Sequence, residues 1–235
     1  MTDLSNAVVL VTGANGGIGT AFVLAALERG AAKVYASART PRAWDDERIV
    51  PLVLDVTDAA SIATAVEAAP DVTVLINNAG GLPQTASMLE VDEDDLRRTM
   101  EINFFAPVAV ARAFAPMLIA ATDAVLVDMH SVASWSAWGG PYSASKAALW
   151  SATNSLRLEL APHGVLVTGV HVGYVDTAMA AHSDDPKMRP ADLVDAVYDA
   201  VERDAFEVVA DALSAQVKAG LAGPIETLYP QLTEG

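Results

Sequence analysis

The chain contains no cysteine among its 235 residues. This absence excludes disulfide bonds, thiolate metal sites and cysteine nucleophiles. Basic residues are also scarce, because 14 Lys and Arg stand against 30 Asp and Glu, for a net charge of −16. Nucleic acids and anionic membranes would be repelled by this charge, so neither is expected as a partner. The four histidines lack the spacing of a metal site, so no metal is expected either.

Long apolar runs of membrane-spanning length are lacking as well. The short run from Ala7 to Val11 has no basic leader and no small-residue cleavage site, so we expect no secretion signal and a cytoplasmic location. No repeat or compositional break divides residues 1–235, which predicts a single domain. The 52% of apolar and 19% of charged residues are typical of a globular, sheet-centred protein.

Short, β-branched-rich apolar segments alternate with helix-like segments, which is typical of strands buried on both faces of a parallel sheet. Helix signals separate them: Gly30 is suited to a left-handed cap, Asp92 with Asp95 resembles a capping box, and Pro190 suits a first helical position. The pattern predicts a Rossmann-type α/β fold, a doubly wound, seven-stranded parallel sheet flanked by helices on both faces. The predicted strands are Ala7–Val11, Lys33–Ser37, Val50–Leu54, Val72–Ile76, Ala124–Met129, Val165–His171 and Phe206–Ala210.

The first strand is followed by the glycine-rich stretch from Thr12 to Gly19. Glycines between a buried strand and a helix let the backbone approach a ligand, and the helix N-terminus offers free N–H groups to a pyrophosphate. A plain tight turn would also be rich in glycine. The order of strand, glycines and helix favours a dinucleotide loop, with Gly16 as a flexibility residue.

A helix is predicted from about Ser143 to Leu160. If the stretch from Pro141 to Trp150 forms its first turns, Tyr142 and Lys146, four residues apart, share one face. An ammonium close to a phenol favours the phenolate and lowers its pKa from about 10. The pair therefore predicts a proton donor for a substrate oxygen. A lone YxxxK would more often be an ordinary amphipathic helix pair, and the upstream glycine loop favours the catalytic interpretation.

Five motifs in this order resemble the short-chain dehydrogenase/reductase family. They are the TGxxxGxG loop from Thr12 to Gly19, Asn77-Asn78-Ala79-Gly80, Asn103, Ser131, and YxxxK at Tyr142 and Lys146. The resemblance covers nearly the whole chain. It implies hydride transfer between a nicotinamide dinucleotide and an alcohol or carbonyl compound, with the protein supplying orientation and the proton.

The resemblance implies four catalytic residues. Tyr142 would be the general acid, Lys146 would lower its pKa and bind the nicotinamide ribose, and Ser131 would orient the substrate oxygen. Asn103 would hold a helix irregularity and a water of the proton relay, helped by Pro107, which has no N–H to bond the residue-103 carbonyl. The implied cofactor contacts are Gly13, Asn15, Gly17, Ile18, Gly19, Arg39, Asp55, Val56, Asn78, Ala79, Gly80, Tyr142, Lys146, Gly173, Val175 and Thr177.

The end of the second strand predicts the choice of cofactor. An acidic residue there would bind the ribose diol of NAD, but the chain has Ala38, followed by Arg39 and, close by, Arg42. Arginine pairs well with a 2′-phosphate, so NADP(H) is predicted. A surface arginine that merely ends a strand is the alternative.

An apolar pocket for an aromatic or bulky carbonyl compound is predicted from Trp135, Trp138, Tyr174 and Met179, together with Ser131 and Tyr142. Packing of the tryptophans elsewhere in the core explains them equally well. The loop from Ala178 to Arg189 would form a lid, whose Asp184 and Asp185 would disfavour anionic substrates, while His182 reads as a solvated loop residue.

Two features depart from the family pattern. Only ten residues separate Ser131 from Tyr142, which makes Ser134 a fallback for the catalytic serine. Val172 stands where the family usually has proline.

Three functions remain open at this stage. The first is an NADPH-dependent reductase of ketones or aldehydes, reversible as an alcohol dehydrogenase. The second is an NAD-dependent steroid, sugar or polyol dehydrogenase, and the third is a dinucleotide-binding regulator without turnover. The resemblance also implies a homodimer or homotetramer, for which the apolar stretch containing Phe104, Phe105, Val108, Val110 and Phe114 is suited, although burial against the sheet would explain it too.

Overall fold

A computed structural model describes residues 2–233 and contains one seven-stranded parallel sheet with the strand order β3-β2-β1-β4-β5-β6-β7. The predicted fold class is therefore confirmed. Each strand lies within one or two residues of its predicted position. The strands are β1 Val8–Thr12, β2 Lys33–Ala38, β3 Ile49–Val53, β4 Val74–Asn77, β5 Val125–Met129, β6 Leu166–His171 and β7 Glu207–Val209.

The α-helices that cover the sheet are α1 Gly17–Glu28, α2 Ala59–Ala68, α3 Glu93–Met100, α4 Ala106–Ala120, α5 Pro141–Leu160, α6 Pro190–Glu202, α7 Ala212–Gly220 and α8 Ile225–Leu228. Several of them begin and end as the sequence predicted. Helix α1 ends before Gly30, which has a φ of +88°, and Pro190 is the first residue of α6.

Asp95 does not play the capping role predicted for it. Asp92 does cap α3, by accepting a hydrogen bond from the Asp94 N–H. The carboxylate of Asp95 instead accepts a 2.7 Å hydrogen bond from the backbone N–H of Gln84 and pairs with Arg98. The reason is that the loop containing Gln84 lies close to α3 and donates a hydrogen bond to this carboxylate. Sequence spacing does not reveal the position of that loop.

Two hydrophobic cores lie on opposite faces of the sheet, because successive strand residues point to opposite sides. On one face Val9 and Val11 pack with Phe22 of α1 and Tyr198 of α6. On the other face the neighbouring Leu10 packs with residues of α2 and α4. Helices cover both faces of the sheet, whereas loops connect the ends of the strands.

The ligand edge follows from the strand order. The chain passes from β1 outward to β2 and β3 and then returns to place β4 beside β1. Connections after β1 and β4 therefore diverge to opposite sides and leave a crevice at the carboxyl ends of these strands.

Helix α3, a π-helical segment Glu101–Phe105 and α4 form one continuous helix from Glu93 to Ala120. By length and composition alone it could cross a membrane, with a mean hydropathy of 1.6 in its most apolar window. The expectation that no segment reaches membrane-spanning length is therefore wrong. The sequence did not reveal that these three helical segments join into one helix. Its inner face is occupied, because Val110, Phe114 and Leu118 are fully buried against the sheet.

Candidate active site

A cavity of about 1180 Å³ lies along the carboxyl edge of the sheet. It reaches from the glycine loop after β1, past the end of β4, to the residues that follow β5 and β6. Its size exceeds the ~300–1,000 Å³ of an ordinary small-molecule pocket. There is room for an extended cofactor together with a second ligand.

The glycine loop is shaped for close backbone approach. Gly13 has a φ of +69°, and a Cβ added at Gly19 would lie 2.3 Å from the Gly13 carbonyl oxygen. Helices α2, α3 and α7 begin with aspartate caps, whereas α1 begins after Gly16 with no side-chain cap and no acid in its first turn. The first N–H groups of α1 are thus left for an anion at the cavity, and the loop fits a pyrophosphate.

The Asn78-Ala79-Gly80 segment holds this loop in place. The hydroxyl of Thr12 accepts hydrogen bonds from the backbone N–H groups of Asn78 and Ala79, at 2.9 and 3.0 Å. The side chain of Asn78 donates in return to the Thr12 carbonyl at 2.8 Å. The ends of β1 and β4 are therefore fixed to each other, and Gly13, Asn15, Gly17, Ile18, Gly19, Asn78, Ala79 and Gly80 all line the cavity.

At the far end of the cavity, the ends of β2 and β3 contribute Arg39, Asp55 and Val56. Ala38 is the last residue of β2, so no carboxylate stands at the strand end. Hydrogen bonds from Thr57 lower the pKa of Asp55, and the charge of Arg39 acts in the same direction. Arg42 does not line the cavity, because its guanidinium stacks over Trp44 at 3.9 Å and bonds Thr20.

Helix α5 begins at Pro141, two residues before the predicted start at Ser143. It carries Tyr142 and Lys146 to the cavity wall. Gly140, immediately before the helix, has a φ of +52°, and a Cβ there would lie 1.9 Å from the carbonyl oxygen of Ala86. Only glycine allows this approach of the loop to the helix. The short connection from Ser131 thereby still delivers the phenol to the cavity.

The predicted effect of Lys146 on Tyr142 is wrong for this arrangement. Burial raises the pKa of Tyr142 to about 12, while a hydrogen bond from Ser131 acts in the opposite direction. Burial also lowers the pKa of Lys146 to about 8, against the attraction of Asp128. Within residues 2–233 the Tyr142 hydroxyl has no hydrogen bond to Lys146, whose Nζ donates to the Met129 carbonyl at 2.7 Å and lies 5.8 Å from the phenol ring centre. The cost of burying charge outweighs the benefit of a cation at that distance.

Ser131 lies directly after β5 and lines the cavity beside Tyr142. Its hydroxyl accepts a hydrogen bond from the Ala133 N–H at 3.2 Å, which begins the short 3₁₀ segment Val132–Ser134. Ser134, the fallback, is buried away from the cavity and its hydroxyl has no partner among the described residues. The structure therefore favours Ser131 over Ser134.

Asn103 lies at the centre of the π-helical segment, where the sequence had placed a helix irregularity. Its side chain bonds both the N–H and the carbonyl of Gly81, each at 2.9 Å, and donates to Ser145 of α5 at 3.1 Å. The amide does not line the cavity. It connects the loop after β4 to the helix that carries Tyr142, and a Cβ added at Gly80 would lie 3.1 Å from its Oδ1 and 3.8 Å from Lys146 Nζ.

The segment after β6 brings Gly173, Val175 and Thr177 to the cavity. A Cβ at Gly17 would lie 2.9 Å from Thr177 Cγ2, so Thr177 stands beside the glycine loop. Asp211, which the sequence did not single out, accepts a 2.5 Å hydrogen bond from the Gly173 N–H and also caps α7. This contact gives the turn a constraint that Val172, in the usual proline position, does not supply.

The substrate end of the cavity has an apolar wall. Trp138, Tyr174 and Met179 line it as predicted, and Met179 lies in the expected lid. Trp135 was placed here wrongly. It is 5% exposed and stacks on His171 with ring centres 3.6 Å apart, edge-on to Trp150.

Several cavity residues were not anticipated. His182, read as a solvated loop residue, is exposed but also lines the cavity, and Asp184 and Asp185 do not. The loop after Gly81 and the helix α7 add further lining residues, and His130 contributes from the end of β5. No local motif marks them, since loops far apart in sequence meet here; they are Leu82, Pro83, Gln84, Thr85, Ala86, His130 and Leu213.

Metal chemistry has no visible site in this part of the chain. Among residues 2–233, no group of three or more His, Asp or Glu side chains is arranged to hold a metal ion.

Comparison with known proteins agrees with this geometry. The family model described as short chain dehydrogenase matches residues 7–187. A crystal structure of a short chain dehydrogenase from Burkholderia cenocepacia in complex with NADP is 36% identical, with a TM-score of 0.90, and covers 98% of this chain and 99% of that one.

Two curated relatives match over a shorter part. A short-chain dehydrogenase of Penicillium crustosum is 39% identical over 181 residues, which are 72% of this chain and 66% of the relative. The NADPH-dependent 1-acyldihydroxyacetone phosphate reductase of Schizosaccharomyces pombe is 37% identical over 180 residues, 72% of this chain and 60% of the relative. The chain thus spans 60 to 66% of the length of these relatives.

Proposed function

The chain belongs to the short-chain dehydrogenase family, and from this premise we propose that it reduces a ketone or aldehyde to an alcohol with NADPH, reversibly. The supporting observation is that Ser131, Tyr142 and Lys146 share one wall of a cavity that continues to the glycine loop. When bound, the nicotinamide cofactor supplies hydride to the carbonyl carbon. The residues of the chain supply binding, orientation and the proton.

Tyr142 is the proposed proton donor. A phenol whose pKa is raised to about 12 stays protonated at neutral pH and has a proton to give. The oxygen of a carbonyl under hydride attack becomes an alkoxide, which is a stronger base than a phenolate, so it takes the proton. Oxidation of an alcohol needs the phenolate instead. We therefore expect oxidation to accelerate towards alkaline pH and reduction to proceed at neutral pH.

Ser131 and Lys146 are proposed to orient the reacting groups. The Ser131 hydroxyl, beside the phenol, would donate to the substrate oxygen as negative charge develops there. Lys146, buried against Met129, would bind the nicotinamide ribose. Asn103 acts through other residues in this proposal, by fixing Gly81 and Ser145 on either side of the site.

NADP(H) is the cofactor. The solved relative from Burkholderia cenocepacia binds NADP, and the Schizosaccharomyces pombe relative is NADPH-dependent. This chain has Arg39 at the cavity and no carboxylate at the end of β2, which suits a 2′-phosphate. The proposal of an NAD-linked polyol or steroid dehydrogenase is less well supported for the same reason.

The proposed substrate is uncharged and bulky. Among the described residues at the substrate end, Lys146 is the only lysine or arginine, and none is a carboxylate. Trp138, Tyr174 and Met179 offer apolar surface. Because Lys146 is proposed to bind the ribose, an anion would have to leave water without a partner. We expect a keto acid to be reduced much more slowly than its neutral ester. Equal kcat/KM for both would contradict this proposal while leaving carbonyl reduction intact.

A self-associating chain is also proposed. The apolar stretch on the long helix has two sides, because Val110 and Phe114 are fully buried while Phe105 is 53% exposed. On α5, Leu158 is 77% exposed. A homodimer or homotetramer would cover these side chains, and sedimentation of Phe105→Ser against the native chain tests it. A cytoplasmic location and a single domain over residues 1–235 stay predictions.

The decisive experiment follows NADPH absorbance with a panel of neutral ketones. Tyr142→Phe is expected to lose about 10²- to 10⁴-fold in kcat, as for a lost general acid, with unchanged NADPH affinity. Tyr229→Phe, at a tyrosine that does not line the cavity, is the matched control. NADPH binding without turnover of any carbonyl compound by the native chain would instead support a dinucleotide-binding regulator.

A further inference from the structure

Four buried side chains form a hydrogen-bonded row beneath the candidate active site. Asp128 of β5, Thr153 of α5, His130 after β5 and His171 of β6 are each 4% exposed or less. We call them the buried row. The contacts are 2.6 Å from Thr153 Oγ1 to Asp128 Oδ2, 2.9 Å from Thr153 Oγ1 to His130 Nε2, and 3.1 Å from His130 Nδ1 to His171 Nε2.

Each end of the buried row contacts a group that can act in only one way, as a hydrogen-bond acceptor or as a donor. At one end His171 Nδ1 lies 3.2 Å from the carbonyl oxygen of Ser131, which can only accept. At the other end Asp128 Oδ1 accepts from the side-chain amide of Asn77 at 2.9 Å, and that amide also donates to the Pro107 carbonyl. These ends determine where each hydrogen between them must lie.

The positions of the hydrogens follow from the Ser131 end. Because its Nδ1 faces an acceptor, a neutral His171 carries its hydrogen on Nδ1 and must accept at Nε2. His130 must then donate from Nδ1, which leaves its Nε2 as an acceptor when the ring is neutral. Thr153 has one hydroxyl hydrogen, and this arrangement directs it to His130 Nε2.

Asp128 Oδ2 therefore faces the Thr153 hydroxyl oxygen, whose only hydrogen is donated to His130. With an ionised Asp128 and two neutral histidines, the row would lack one hydrogen, and one contact would join two lone pairs. A proton on Asp128 Oδ2 supplies it, because the carboxylic acid can donate to Thr153 Oγ1 over 2.6 Å. The Leu149 carbonyl oxygen also lies 2.9 Å from this hydroxyl, and in this arrangement it receives no hydrogen from Thr153.

We propose that Asp128 is a neutral carboxylic acid in the folded protein at neutral pH, and that its proton completes the hydrogen-bonded row that positions Ser131. The carbonyl held by His171 belongs to Ser131, and the carbonyl that binds Lys146 belongs to Met129, between Asp128 and His130. Asp128, Thr153, His130 and His171 are thus positioning residues. Their effect on catalysis rests on the proposed reductase function.

The charges around the buried row do not change this assignment. Lys146 and Arg157 of α5 favour an ionised Asp128, but burial is the larger effect and raises the pKa of Asp128. Burial also lowers the pKa of His130 well below its ordinary value and that of His171 to about 3. Glu207 of β7 lies 3.7 Å from His171 Nε2 and favours its protonation, whereas Lys218 of α7, paired with Glu207, opposes it.

If the proton sits on Asp128, no negative charge stands beneath Lys146. The Lys146 Nζ then has only the Met129 carbonyl as a hydrogen-bond partner among the described residues, and it stays available to the ribose. An ionised Asp128 would instead raise the pKa of Lys146 by attracting its ammonium. This difference can be measured.

The first test needs no turnover. Nitrogen-15 NMR of histidine-labelled native protein at pH 7 should show His130 and His171 both neutral with hydrogen on Nδ1, and infrared spectra should contain a protonated-carboxyl band that Asp128→Asn removes. Hydrogen on His130 Nε2, a doubly protonated histidine in the row, or an ionised Asp128 would each overturn the proposal. Failure of the proposed reductase function would leave this result unaffected.

The second test compares two variants. The amide in Asp128→Asn can donate to Thr153 and accept from Asn77 as the carboxylic acid does, so the histidine hydrogens and the thermal unfolding midpoint should be retained. Thr153→Val removes the relay hydroxyl and should lower that midpoint by on the order of 5 °C. In the pH profile of kcat for NADPH-dependent reduction, Asp128→Asn should leave the midpoint of the fall at alkaline pH unchanged. A downward shift of about 1 to 3 pH units, as expected for loss of a counter-charge to Lys146, would overturn the proposal.

Discussion

Trp135 and Trp138 lie three residues apart, yet they belong to different regions of the site. Trp135 is 5% exposed and packs on His171 in the floor of the site, whereas Trp138 is 50% exposed and lines the cavity. The floor, formed by Trp135 and the buried row, consists of buried side chains that contact one another. The rim, formed by the loops around Leu82 and Met179, exposes apolar side chains with few bonds between them. The floor therefore determines the geometry of the chemistry, while the rim can change with the substrate.

Alanine variants of the two tryptophans should separate these regions most clearly. Trp135→Ala leaves a large void in the floor and is expected to cost about 3–5 kcal/mol in the free energy of unfolding. Trp138→Ala should change that free energy by less than about 0.5 kcal/mol and act on the KM of a bulky ketone instead. Urea unfolding and steady-state kinetics measure both. Similar losses of stability in the two variants would remove the distinction between floor and rim.

Acid should destabilise the protein through the floor. The pKa of His171 falls to about 3 on folding and that of His130 is also lowered, so between about pH 6.5 and these values the unfolded chain binds more protons. Stability from the histidines is therefore present above pH 6.5 and lost as the pH falls, by about 1.4 kcal/mol per pH unit for each histidine. The raised pKa of Asp128 acts in the opposite direction, and the proton it keeps in the folded protein offsets one such share. Urea unfolding at pH 7, 6 and 5 measures the slope. His171→Asn should remove one histidine's share of this pH-dependent stability, and His163→Asn, at an exposed position, is the matched control.

The cofactor end of the cavity should show a charge-specific effect. Arg39→Ala is expected to weaken NADPH binding by about 1.5–3 kcal/mol, or roughly 10- to 150-fold, because a charge-assisted bond to the 2′-phosphate is lost. NADH has no such phosphate, so its affinity should not change. Arg42→Ala, whose guanidinium is engaged with Trp44, is the control. Equal weakening of NADPH and NADH, measured by fluorescence titration, would contradict the role of Arg39.

A smaller effect is expected at the substrate end. Met179 is 45% exposed, so Met179→Ala removes only part of an apolar contact, equivalent to about one methylene, or ~0.8 kcal/mol. The KM for a bulky ketone should rise about fourfold, with the affinity for NADPH unchanged. Leu221→Ala, exposed elsewhere, is the matched control. An unchanged KM would show that this part of the rim does not contact the substrate.

The cofactor end could be predicted from the sequence because it depends on local signals. The strand before Thr12, the glycines up to Gly19 and the absence of an acid after β2 are all readable along the chain, and the structure places them together at one edge. The helix irregularity at Asn103 was also predicted, through the resemblance. Strand ends differed by one or two residues, because hydrogen bonds between neighbouring strands decide them.

The rest depends on which groups are buried together. The high pKa of Tyr142 results from the low polarity around it, which spacing from Lys146 does not reveal. Trp135 and Trp138 have the same side chain in the same short connection, and only the tertiary packing assigns one to the floor. The contact of Asp95 with Gln84 likewise depends on a loop whose path no local pattern specifies.

The approach of Gly140 to the Ala86 carbonyl has a consequence for how the site can be altered. Since a methyl group at position 140 would overlap that oxygen at 1.9 Å, the loop at Ala86, which lines the cavity, is in direct contact with the residue that precedes α5. Reshaping the entrance through this joint would also dislocate the phenol. A library that aims to change selectivity should hold position 140 constant and diversify positions 82, 138 and 179, where widening the entrance is expected to leave Tyr142 in place.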